Sequence, residues 1–438
     1  MDKTLVICEK PAQAGDYAKV LGIAAKRDGY YELKNGWRVT WARGHLFELV
    51  EPQEYDEKWG GRWNWGQLPM IPPEFKSKIA DGKGPLVKVI KSLLKDTTRV
   101  IIATDAAREG ELIGREILAY CKYKGKIDRL WAKSMVASDI AAAFAKLRPG
   151  SETEALYEAA LARRSSDWLS GLPMTRAVSL AANVRGEYYP VGRIQTPVLA
   201  LVVRRDKAIK AFKTAAYYEL EATVQSAGGK TFKMWYAPPE EKRIKEKAAG
   251  EKLLKQAQGA CSPLKVEKKA GKEAPPLPYN LPELQMDCNR ILGLTAKRTL
   301  EVAQELYDKK AITYPRTDCR YFASEVKSLV EGKLAVIARH FPDGVAKLRD
   351  IGILLRDTTF DDKQLTDHDA LAPTSEFIPL SGIELQVFTL ISQQFLRAIC
   401  IDCLFDTTKV SMDANGVPFT ATGKAIRVEG WRGLKLRL

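Results

Sequence analysis

The feature that most restricts the fold of this chain is a strand–turn–helix unit that occurs twice near the N-terminus. Residues 4–8 form a short apolar run, and a helical pattern over 12–21 follows it and stops at Gly22. Residues 99–104 form a second apolar run, and a helix predicted over 112–120 follows it after an acidic turn. Because strands that alternate with helices pack into parallel sheets, this pattern predicts a doubly wound α/β domain.

Three acidic side chains, Glu9, Asp105 and Glu109, come just after these predicted strands. Open α/β sheets bind ligands in the crevice beyond the carboxyl ends of their strands. Mg²⁺ prefers carboxylate and water oxygens, usually beside a substrate phosphate. The three acids therefore predict a magnesium site, and the alternative is that they are surface acids that stabilise helix N-termini.

The rest of the chain divides into helical and strand-forming segments, and its 438 residues are enough for roughly two to four domains. Apolar residues at helical spacing indicate helices, and alternating apolar and polar residues indicate strands. The predicted segments are helices over 138–182 and 198–209, a strand pair over 217–234 with a turn at Gly228-Gly229, a solvated helix within 240–270, a linker at 271–276, a helical domain over 282–398, and a hairpin of strands 407–412 and 417–422 with a turn at Asn415-Gly416.

The charge balance favours a polyanionic partner. The chain has 69 Lys and Arg residues against 54 Asp and Glu residues, and this excess is typical of proteins that bind nucleic acid or an acidic membrane surface. No apolar run is long enough to span a bilayer or to form a signal peptide. The scattered cysteines, including the isolated pair Cys400 and Cys403, are typical of packed thiols in a reducing compartment. We therefore expect a cytoplasmic protein with no membrane partner.

A second candidate site lies in segment 311–318, where Tyr314 directly precedes Pro315 and Arg316 follows. Proline disfavours the α region for the residue before it, which predicts an extended backbone at Tyr314. The planar guanidinium of Arg316 matches phosphate geometry, and a phenol beside a fixed phosphate binder is suited to nucleophilic attack on phosphorus. The alternative is a buried structural tyrosine beside a surface arginine.

Residues that could assist such a reaction are also present. Lys10 and Arg316 are candidates to neutralise the charge that develops on a phosphodiester. Glu9, with a pKa raised in a partly dry cleft, is a candidate proton donor for the leaving oxygen. Each of these residues has an alternative role as a salt-bridge partner. Residues 229–231 resemble the end of a nucleotide-binding loop, but Val224 replaces its first glycine, so we expect the reaction to proceed without ATP.

Five segments together resemble the type IA DNA topoisomerases, and most of all the topoisomerase III branch of that family. They occur in the family's order, and the resemblance runs along nearly the whole chain. The segments are Glu9-Lys10-Pro11, Gly44-His45-Leu46, Asp105 with Arg108-Glu109-Gly110-Glu111, Gly192-Arg193-Ile194-Gln195-Thr196-Pro197, and Thr313-Tyr314-Pro315-Arg316-Thr317-Asp318.

The resemblance implies a multidomain chain with α/β, α and β parts. A Rossmann-like metal-binding domain of the Toprim type, helical domains and a β-rich arch would form the toroidal core of a type IA topoisomerase. The implied divisions are residues 1–150 for the Toprim domain, 151–213 for part of the helical single-strand groove, 214–278 for the first part of the arch and a linker, 279–400 for the helical domain with the catalytic tyrosine, and 401–438 for a truncated return part of the arch.

The resemblance also assigns roles to the candidate residues. Tyr314 would form a 5′-phosphotyrosine link with a cleaved single strand, and Glu9 would protonate the departing 3′ oxygen. Lys10 and Arg316 would hold the scissile phosphate. The implied ligands of Mg²⁺ are Glu9, Asp105 and Glu109. The residues implied to contact DNA are His368, Arg164, Asp167, Arg193, Gln195 and Thr196.

The implied activity is ATP-independent strand passage through a transient break in a DNA strand. Such an enzyme relaxes negative supercoils or decatenates DNA. Its implied substrate is single-stranded or negatively supercoiled DNA, its implied place is the nucleoid in the cytoplasm, and a helicase is a candidate partner.

Two features depart from the family pattern. Ala107 stands where the acidic motif of the family has its second aspartate, so we expect weaker Mg²⁺ binding. The chain stops at Leu438, whereas the family continues and completes the groove domain. The alternative function is therefore a truncated single-stranded DNA binder or cleaver with little or no strand passage. A different Toprim enzyme, such as a primase or a nuclease, would not need the Tyr314 segment.

Overall fold

The computed structural model describes residues 3–132, 137–226, 228–238, 243–365 and 368–436. The strands of the N-terminal part are β1 (Thr4–Cys8), β2 (Ile23–Arg27), β3 (Tyr30–Leu33), β4 (Arg38–Trp41), β5 (Phe47–Leu49), β6 (Ser77–Ile79), β7 (Arg99–Ala103), β8 (Lys126–Arg129) and β9 (Arg148–Pro149). Its helices are α1 (Pro11–Leu21), α2 (Pro52–Tyr55), α3 (Gly84–Leu94), α4 (Arg108–Tyr120) and α5 (Ala137–Ala145). Both predicted strand–turn–helix units are confirmed, as β1 followed by α1 and as β7 followed by α4.

A seven-stranded sheet forms the centre of this part, in the order β2-β3-β4-β1-β7-β8-β9. Strands β4, β1, β7 and β8 run parallel to one another. Helices α3 and α4 pack on one face and α1 and α5 on the other, so β1 is buried along its whole length. The register pairs Cys8 with Ala103, and the chain therefore leaves β1 and β7 side by side at one edge of the sheet. This register brings Glu9 next to the residues that follow β7.

Helix α4 begins at Arg108, about one turn earlier than the predicted start at residue 112. Glu109 therefore lies in the first turn of the helix and not in a turn that follows the strand. Gly110 permits this early start, because a Cβ atom at that position would lie 2.1 Å from the backbone oxygen of Asp105. The prediction was wrong because a glycine after a strand usually indicates a turn, whereas here it allows the helix to approach the strand end.

The predicted helical region 138–182 is helical except for one interruption. Helix α5 is separated from α6 (Glu154–Ala182) by β9 and by a 3₁₀ turn at Gly150–Thr153. Pro149 accounts for the interruption, because proline has no backbone N–H to donate within a helix.

The next helix, α7 (Gln195–Lys210), begins slightly before the predicted residue 198. None of its described residues is buried, and it exposes several large apolar side chains, among them Leu199, Leu201 and Val202. Apolar residues on a helix normally face a packing partner. Helices α6 and α7 instead expose theirs and so present an open apolar surface.

A five-stranded sheet joins two distant parts of the chain in the order β10-β11-β14-β13-β12. Its elements are β10 (Glu221–Gln225), β11 (Thr231–Tyr236), the adjacent helix α8 (Lys247–Ala257), β12 (Lys265–Glu273), β13 (Cys403–Ala414) and β14 (Val417–Val428). The strand pair β10–β11 and the hairpin β13–β14 are confirmed, and Asn415 and Gly416 both have positive φ angles, as a type I′ turn requires.

Strand β12 is a correction to the prediction. Its residues were assigned to a solvated helix and to a linker, but the strand pairs with β13 along its whole length, from Lys265 opposite Ser411 to Glu273 opposite Cys403. A segment rich in lysine and glutamate, such as residues 265–273, is compatible with a solvated helix and with an exposed edge strand. Lysines are common on edge strands because they oppose further strand pairing. The partner that decides between helix and strand lies more than a hundred residues further along the chain.

The helices between β12 and β13 are α9 (Leu281–Leu292), α10 (Ala296–Asp308), α11 (Val330–His340), α12 (Pro342–Ile351) and α13 (Gly382–Ala398), as the prediction of a helical domain required. Helix α13 is the central one, with Phe395 in one hydrophobic core and Phe388 in another. The Tyr314 segment follows α10 and is tied to residues 370–374: the Thr313 N–H donates to the Ala372 carbonyl over 2.9 Å. Backbone hydrogen bonds therefore hold the Tyr314 segment against residues 370–374.

Among the described helices, none combines the length and the apolar character that crossing a membrane requires.

Candidate active site

Glu9 and Asp105 meet at the edge of the N-terminal sheet where β1 and β7 end. The carboxylate Oε2 of Glu9 accepts a hydrogen bond of 3.2 Å from the backbone N–H of Asp105. The parallel pairing of the two strands produces this contact, since Glu9 is the first residue after the pair Cys8–Ala103 and Asp105 is the second residue after it. The sequence prediction that both acids lie at strand ends is therefore confirmed.

The Asp105 carboxylate is held on both of its oxygens. Its Oδ2 lies 3.5 Å from the ammonium of Lys10, and its Oδ1 accepts a hydrogen bond of 3.2 Å from the side-chain amide of Gln13. The backbone oxygen of Asp105 accepts a hydrogen bond from Arg129, whose side chain is fully buried. Asp105 thus has a defined orientation before any ligand is bound.

Glu9 is suited to donate a proton. Burial raises its pKa above the ordinary value, the charge of Asp105 raises it further, and the ammonium of Lys10 opposes both effects. A carboxyl group that keeps its proton to a higher pH is a better general acid near neutrality.

Tyr314 lies close enough to this edge for its ionisation to be affected by the two acids. Burial raises its pKa to about 12, the charge of Asp105 adds to the increase, and the guanidinium of Arg316 opposes it. An ion pair of 3.3 Å between Lys310 and Asp16 of α1 ties the segment before Tyr314 to the N-terminal part. The cleft between the two parts therefore contains a neutral phenol, two carboxyl groups and at least two cations.

Two rings fix the position of the Tyr314 phenol. The ring of Tyr307 lies nearly perpendicular to it with centroids 5.4 Å apart, and the ring of His368 lies 4.3 Å away. His368 is buried, so its contact with the tyrosine is an interior one. Arg316, in contrast, is exposed and accessible to a ligand.

Glu109, in the first turn of α4, forms an ion pair with His45. Its carboxylate forms a 2.8 Å contact with Nε2 of His45, and the other ring nitrogen of His45 lies 3.7 Å from Glu116. The two glutamates raise the pKa of His45 to about 9, so the imidazole is cationic at neutral pH. Glu116 also binds Arg164, which places that arginine in an internal ion-pair chain with His45 and Glu109.

The predicted metal ligands are only partly brought together. Within the described residues, no group of three His, Cys, Asp or Glu side chains is arranged to hold a metal ion. Glu9 and Asp105 alone fit Mg²⁺, which one or two carboxylates commonly bind together with waters and a substrate phosphate. Burial and, after it, the charge of Asp105 raise the pKa of Glu9, and a bound cation would offset both effects by favouring the carboxylate.

The other predicted DNA contacts lie along α6 and at the start of α7. Arg193 and Asp167 form a bidentate ion pair, in which Nε donates to Oδ1 over 2.7 Å and Nη2 donates to Oδ2 over 3.3 Å. Thr196 accepts a hydrogen bond of 3.0 Å from the backbone N–H of Gly192, and Gln195 is exposed at the first position of α7. Asp167 thus orients Arg193, while these groups stay accessible to a ligand.

Sequence reasoning assigned no role to three residues that the site contains: Gln13, Tyr307 and His45. Gln13 lies four residues after Glu9 at the start of a helix, a spacing that places both on one face, and this pattern could have indicated it. Tyr307 lies at the end of α10, seven residues before Tyr314. Because a loop separates the two residues, helical periodicity could not predict their contact. His45 belongs to a segment that was quoted as a motif, without a partner.

Comparison with known proteins identifies the family of this chain. Residues 151–436 match the family described as DNA topoisomerase, and residues 4–135 match the Toprim domain. DNA topoisomerase 3 of Bacillus subtilis is 35% identical over 442 residues, which cover 99% of this chain and 60% of the relative. DNA topoisomerase 3 of Bacillus licheniformis is 34% identical, with 99% of this chain and 60% of the relative covered.

The chain therefore spans about 60% of the length of these curated relatives. In structure, full-length topoisomerase I from Thermotoga maritima matches with a TM-score of 0.70 at 20% identity, covering 99% of this chain and 68% of that one. The structural likeness concerns the fold, and the family match covers most of the sequence. This chain belongs to the type IA DNA topoisomerase family and is similar to its topoisomerase 3 members.

Proposed function

We propose that this chain carries the strand-cleaving centre of an ATP-independent type IA topoisomerase that relaxes negative supercoils or decatenates DNA. The observation that carries the proposal is the shared cleft: the Tyr314 phenol lies where the charges of Asp105 and Glu9 both affect its pKa. An isolated structural tyrosine would not need two carboxyl groups from another part of the fold beside it.

In the proposed reaction, Tyr314 Oη forms a bond to phosphorus while the bond between phosphorus and the 3′ oxygen breaks. The phenol carries its proton at neutral pH, because its pKa is about 12, and that proton leaves to water as the bond forms. Glu9 donates its own proton to the departing 3′ oxygen. Religation reverses these transfers, so the bond energy is conserved and no nucleotide is consumed.

Positive charge in the cleft would hold the phosphate during both steps. Lys10 lies 3.5 Å from Asp105, and Arg316 is exposed and close enough to Tyr314 for its guanidinium to lower the pKa of the phenol. Charge of this kind stabilises the non-bridging oxygens more strongly in the transition state than in the ground state. We propose Mg²⁺ as the cofactor, with Asp105 and the Glu9 carboxylate, which is ionised once it has given up its proton, as its protein ligands. Its contribution would be further positive charge on a DNA phosphate.

We propose further that single-stranded DNA runs past His368 and along α6 and α7. The proposed contacts are His368, Arg164, Asp167, Arg193, Gln195 and Thr196. A net charge of +15 supports a groove that follows the phosphate backbone, for which affinity falls steeply with salt. The same proposal includes the divisions at residues 150, 213, 278 and 400, a cytoplasmic location at the nucleoid, and a helicase as partner.

The test is cleavage of a single-stranded oligonucleotide labelled at its 3′ end. Because the 5′ phosphate joins the tyrosine, denaturation should leave the 3′ label covalently attached to the protein. Tyr314→Phe should abolish this product, and Tyr307→Phe, which removes a hydroxyl from the neighbouring ring, should retain it. Cleavage that persists in Tyr314→Phe would refute the mechanism. Binding of the oligonucleotide without any covalent product in the unmodified chain would favour a single-strand binder.

A further inference from the structure

Gln13 connects the two acids of the cleft, although neither the mechanism nor the sequence analysis uses it. It is the third residue of α1, and its side chain is buried, with 8% of its surface exposed. Its amide oxygen accepts a hydrogen bond of 2.9 Å from the backbone N–H of Glu9. Its amide nitrogen donates to Asp105 Oδ1 over 3.2 Å and to the Tyr17 hydroxyl over 3.3 Å. Each polar atom of the amide thus has a partner in or beside the cleft.

The direction of the Gln13 amide follows from its partners. The backbone N–H of Glu9 can only donate, so the amide oxygen must face Glu9 and the NH₂ group must face Asp105. A donor fixed on Oδ1 leaves Oδ2 as the oxygen of Asp105 that faces the cation, which in this structure is the ammonium of Lys10. Gln13 therefore determines which carboxylate oxygen is presented to the cleft.

A purely structural role explains only part of this geometry. Glutamine at the third position of a helix commonly reaches back to a backbone N–H before the helix, and the contact with Glu9 is of this kind. Helix capping does not require the second contact, which joins α1 to the residue that follows β7. That second contact links the first strand–turn–helix unit to the second at the point where their acids meet.

The contact between Gln13 and Asp105 is important because Ala107 supplies no carboxylate to the cleft. The backbone N–H of Ala107 donates to the Asp105 carbonyl over 2.8 Å, but its methyl side chain supplies no oxygen to the cleft. With no carboxylate at that position and Glu109 in contact with His45, Glu9 and Asp105 are the two predicted ligands that meet each other in the described structure. The orientation of Asp105 therefore matters more here than in a site with three acidic ligands.

We propose that Gln13 is a positioning residue for the metal-binding carboxylate, which orients Asp105 so that Oδ2 faces a divalent cation. This inference depends on the metal site included in the proposed function. Groups that orient a metal ligand typically change metal affinity by 10- to 100-fold when they are removed. Gln13 would thus compensate in part for the carboxylate that Ala107 does not provide.

The test is direct binding of Mn²⁺, used as a probe for Mg²⁺, to the DNA-free chain by electron paramagnetic resonance of the free ion. Gln13→Met keeps the length of the side chain and removes the amide, and we expect it to weaken Mn²⁺ binding by roughly 10-fold or more. The matched control is Gln394→Met, since Gln394 is also buried and donates to a backbone carbonyl, that of Leu277, away from the cleft. This control should bind Mn²⁺ as tightly as the unmodified chain.

Asp105→Asn separates failure of this inference from failure of the metal site. If Asp105→Asn loses Mn²⁺ and Gln13→Met binds it within about twofold of the unmodified chain, the positioning role is wrong and the metal site stands. If Asp105→Asn binds Mn²⁺ normally, the site is elsewhere and both proposals fail.

A measurement on the unmodified chain guards against a variant that does not fold. With glutamine side chains labelled with ¹⁵N, Mn²⁺ should broaden the NH₂ signal of Gln13 because that group lies one hydrogen bond from the cation's ligand. The signal of Gln394 should stay sharp. A Gln13 signal that stays sharp at millimolar Mn²⁺ would overturn the inference, whether the ion binds elsewhere or not at all.

Discussion

Replacing Arg129 should loosen the strand end that carries Asp105. The side chain is fully buried and forms a 2.7 Å ion pair with Glu111, which is also fully buried. Its guanidinium also donates to the backbone carbonyls of Ile102, Thr104, Leu130 and Asp105. A single arginine therefore holds the ends of β7 and β8 together beneath the cleft.

The expected cost of Arg129→Met follows from the charge that it leaves behind. Removing one partner of a buried ion pair typically destabilises a protein by about 3–5 kcal/mol, because the other charge stays buried. Glu111 would keep two partners, Arg115 at 2.7 Å and Thr153 at 2.8 Å, so we expect the lower end of this range, about 3 kcal/mol. Such a loss changes the opening equilibrium of the strand end by more than about 100-fold.

Hydrogen exchange of the β7 and β8 backbone amides measures this opening directly, and it does not require the whole chain to unfold in one step. Arg129→Met should lower their protection by the stated amount, and adding Glu111→Gln should restore part of it, because the uncompensated charge is then absent. A loss below about 1 kcal/mol, the value of an exposed ion pair, would refute the reasoning. Equal loss in the single and double variants would show that charge is not the cause.

Two further predictions concern the helical part and the start of α4. Burial lowers the pKa of Lys333 from 10.5 to about 8, so between these values the unfolded chain binds more protons and stability should rise with pH, by up to about 3 kcal/mol. Denaturant unfolding from pH 7 to pH 10.5 should show this rise as a difference: the unmodified chain and Lys347→Met, an exposed control, should gain stability relative to Lys333→Met. Gly110→Ala should destabilise by about 1–3 kcal/mol and impair cleavage, since its Cβ would meet the Asp105 carbonyl. Gly84→Ala, also in the first turn of a helix but with nothing within 4 Å, should be neutral in both assays.

Two outcomes would contradict the predictions for Lys333 and Gly110. A Lys333→Met variant with the same pH dependence as the unmodified chain would assign the titration to another group. A Gly110→Ala variant with normal stability would mean that α4 can start later without cost, as the sequence analysis first assumed.

Local chemistry decided which parts of the fold could be predicted. The apolar runs at 4–8 and 99–104 allow only buried strands, and parallel pairing then brings Glu9 and Asp105 together at one edge. The hairpin at Asn415 and Gly416 was equally accessible, because both residues tolerate the positive φ angles of its turn. In both cases the pattern that specifies each element lies within a few residues, although the pairing of β1 with β7 joins distant parts of the chain.

The errors arose where a distant contact decides the outcome. Strand β12 has a composition that suits a solvated helix, and only its pairing with β13 makes it a strand. Glu109 was predicted to bind metal with Glu9 and Asp105, and nothing in the sequence indicated that its carboxylate also contacts His45, which is 64 residues away. The contact of Gln13 with Asp105 likewise needs the register of two strands that are far apart in the sequence.

The five-stranded sheet also determines how the tyrosine-bearing helices are attached to the rest of the chain. The chain leaves β12 at Glu273 and returns into β13 at Cys403, and these two residues face each other across one antiparallel ladder. The whole segment from α9 to α13 is therefore an insertion whose entry and exit lie only about 5 Å apart. The chain after β14 strengthens this attachment, since Leu434 packs into the core that contains Phe395. The phenol of Tyr314 and the carboxylates of Glu9 and Asp105 therefore belong to parts of the chain that the five-stranded sheet connects.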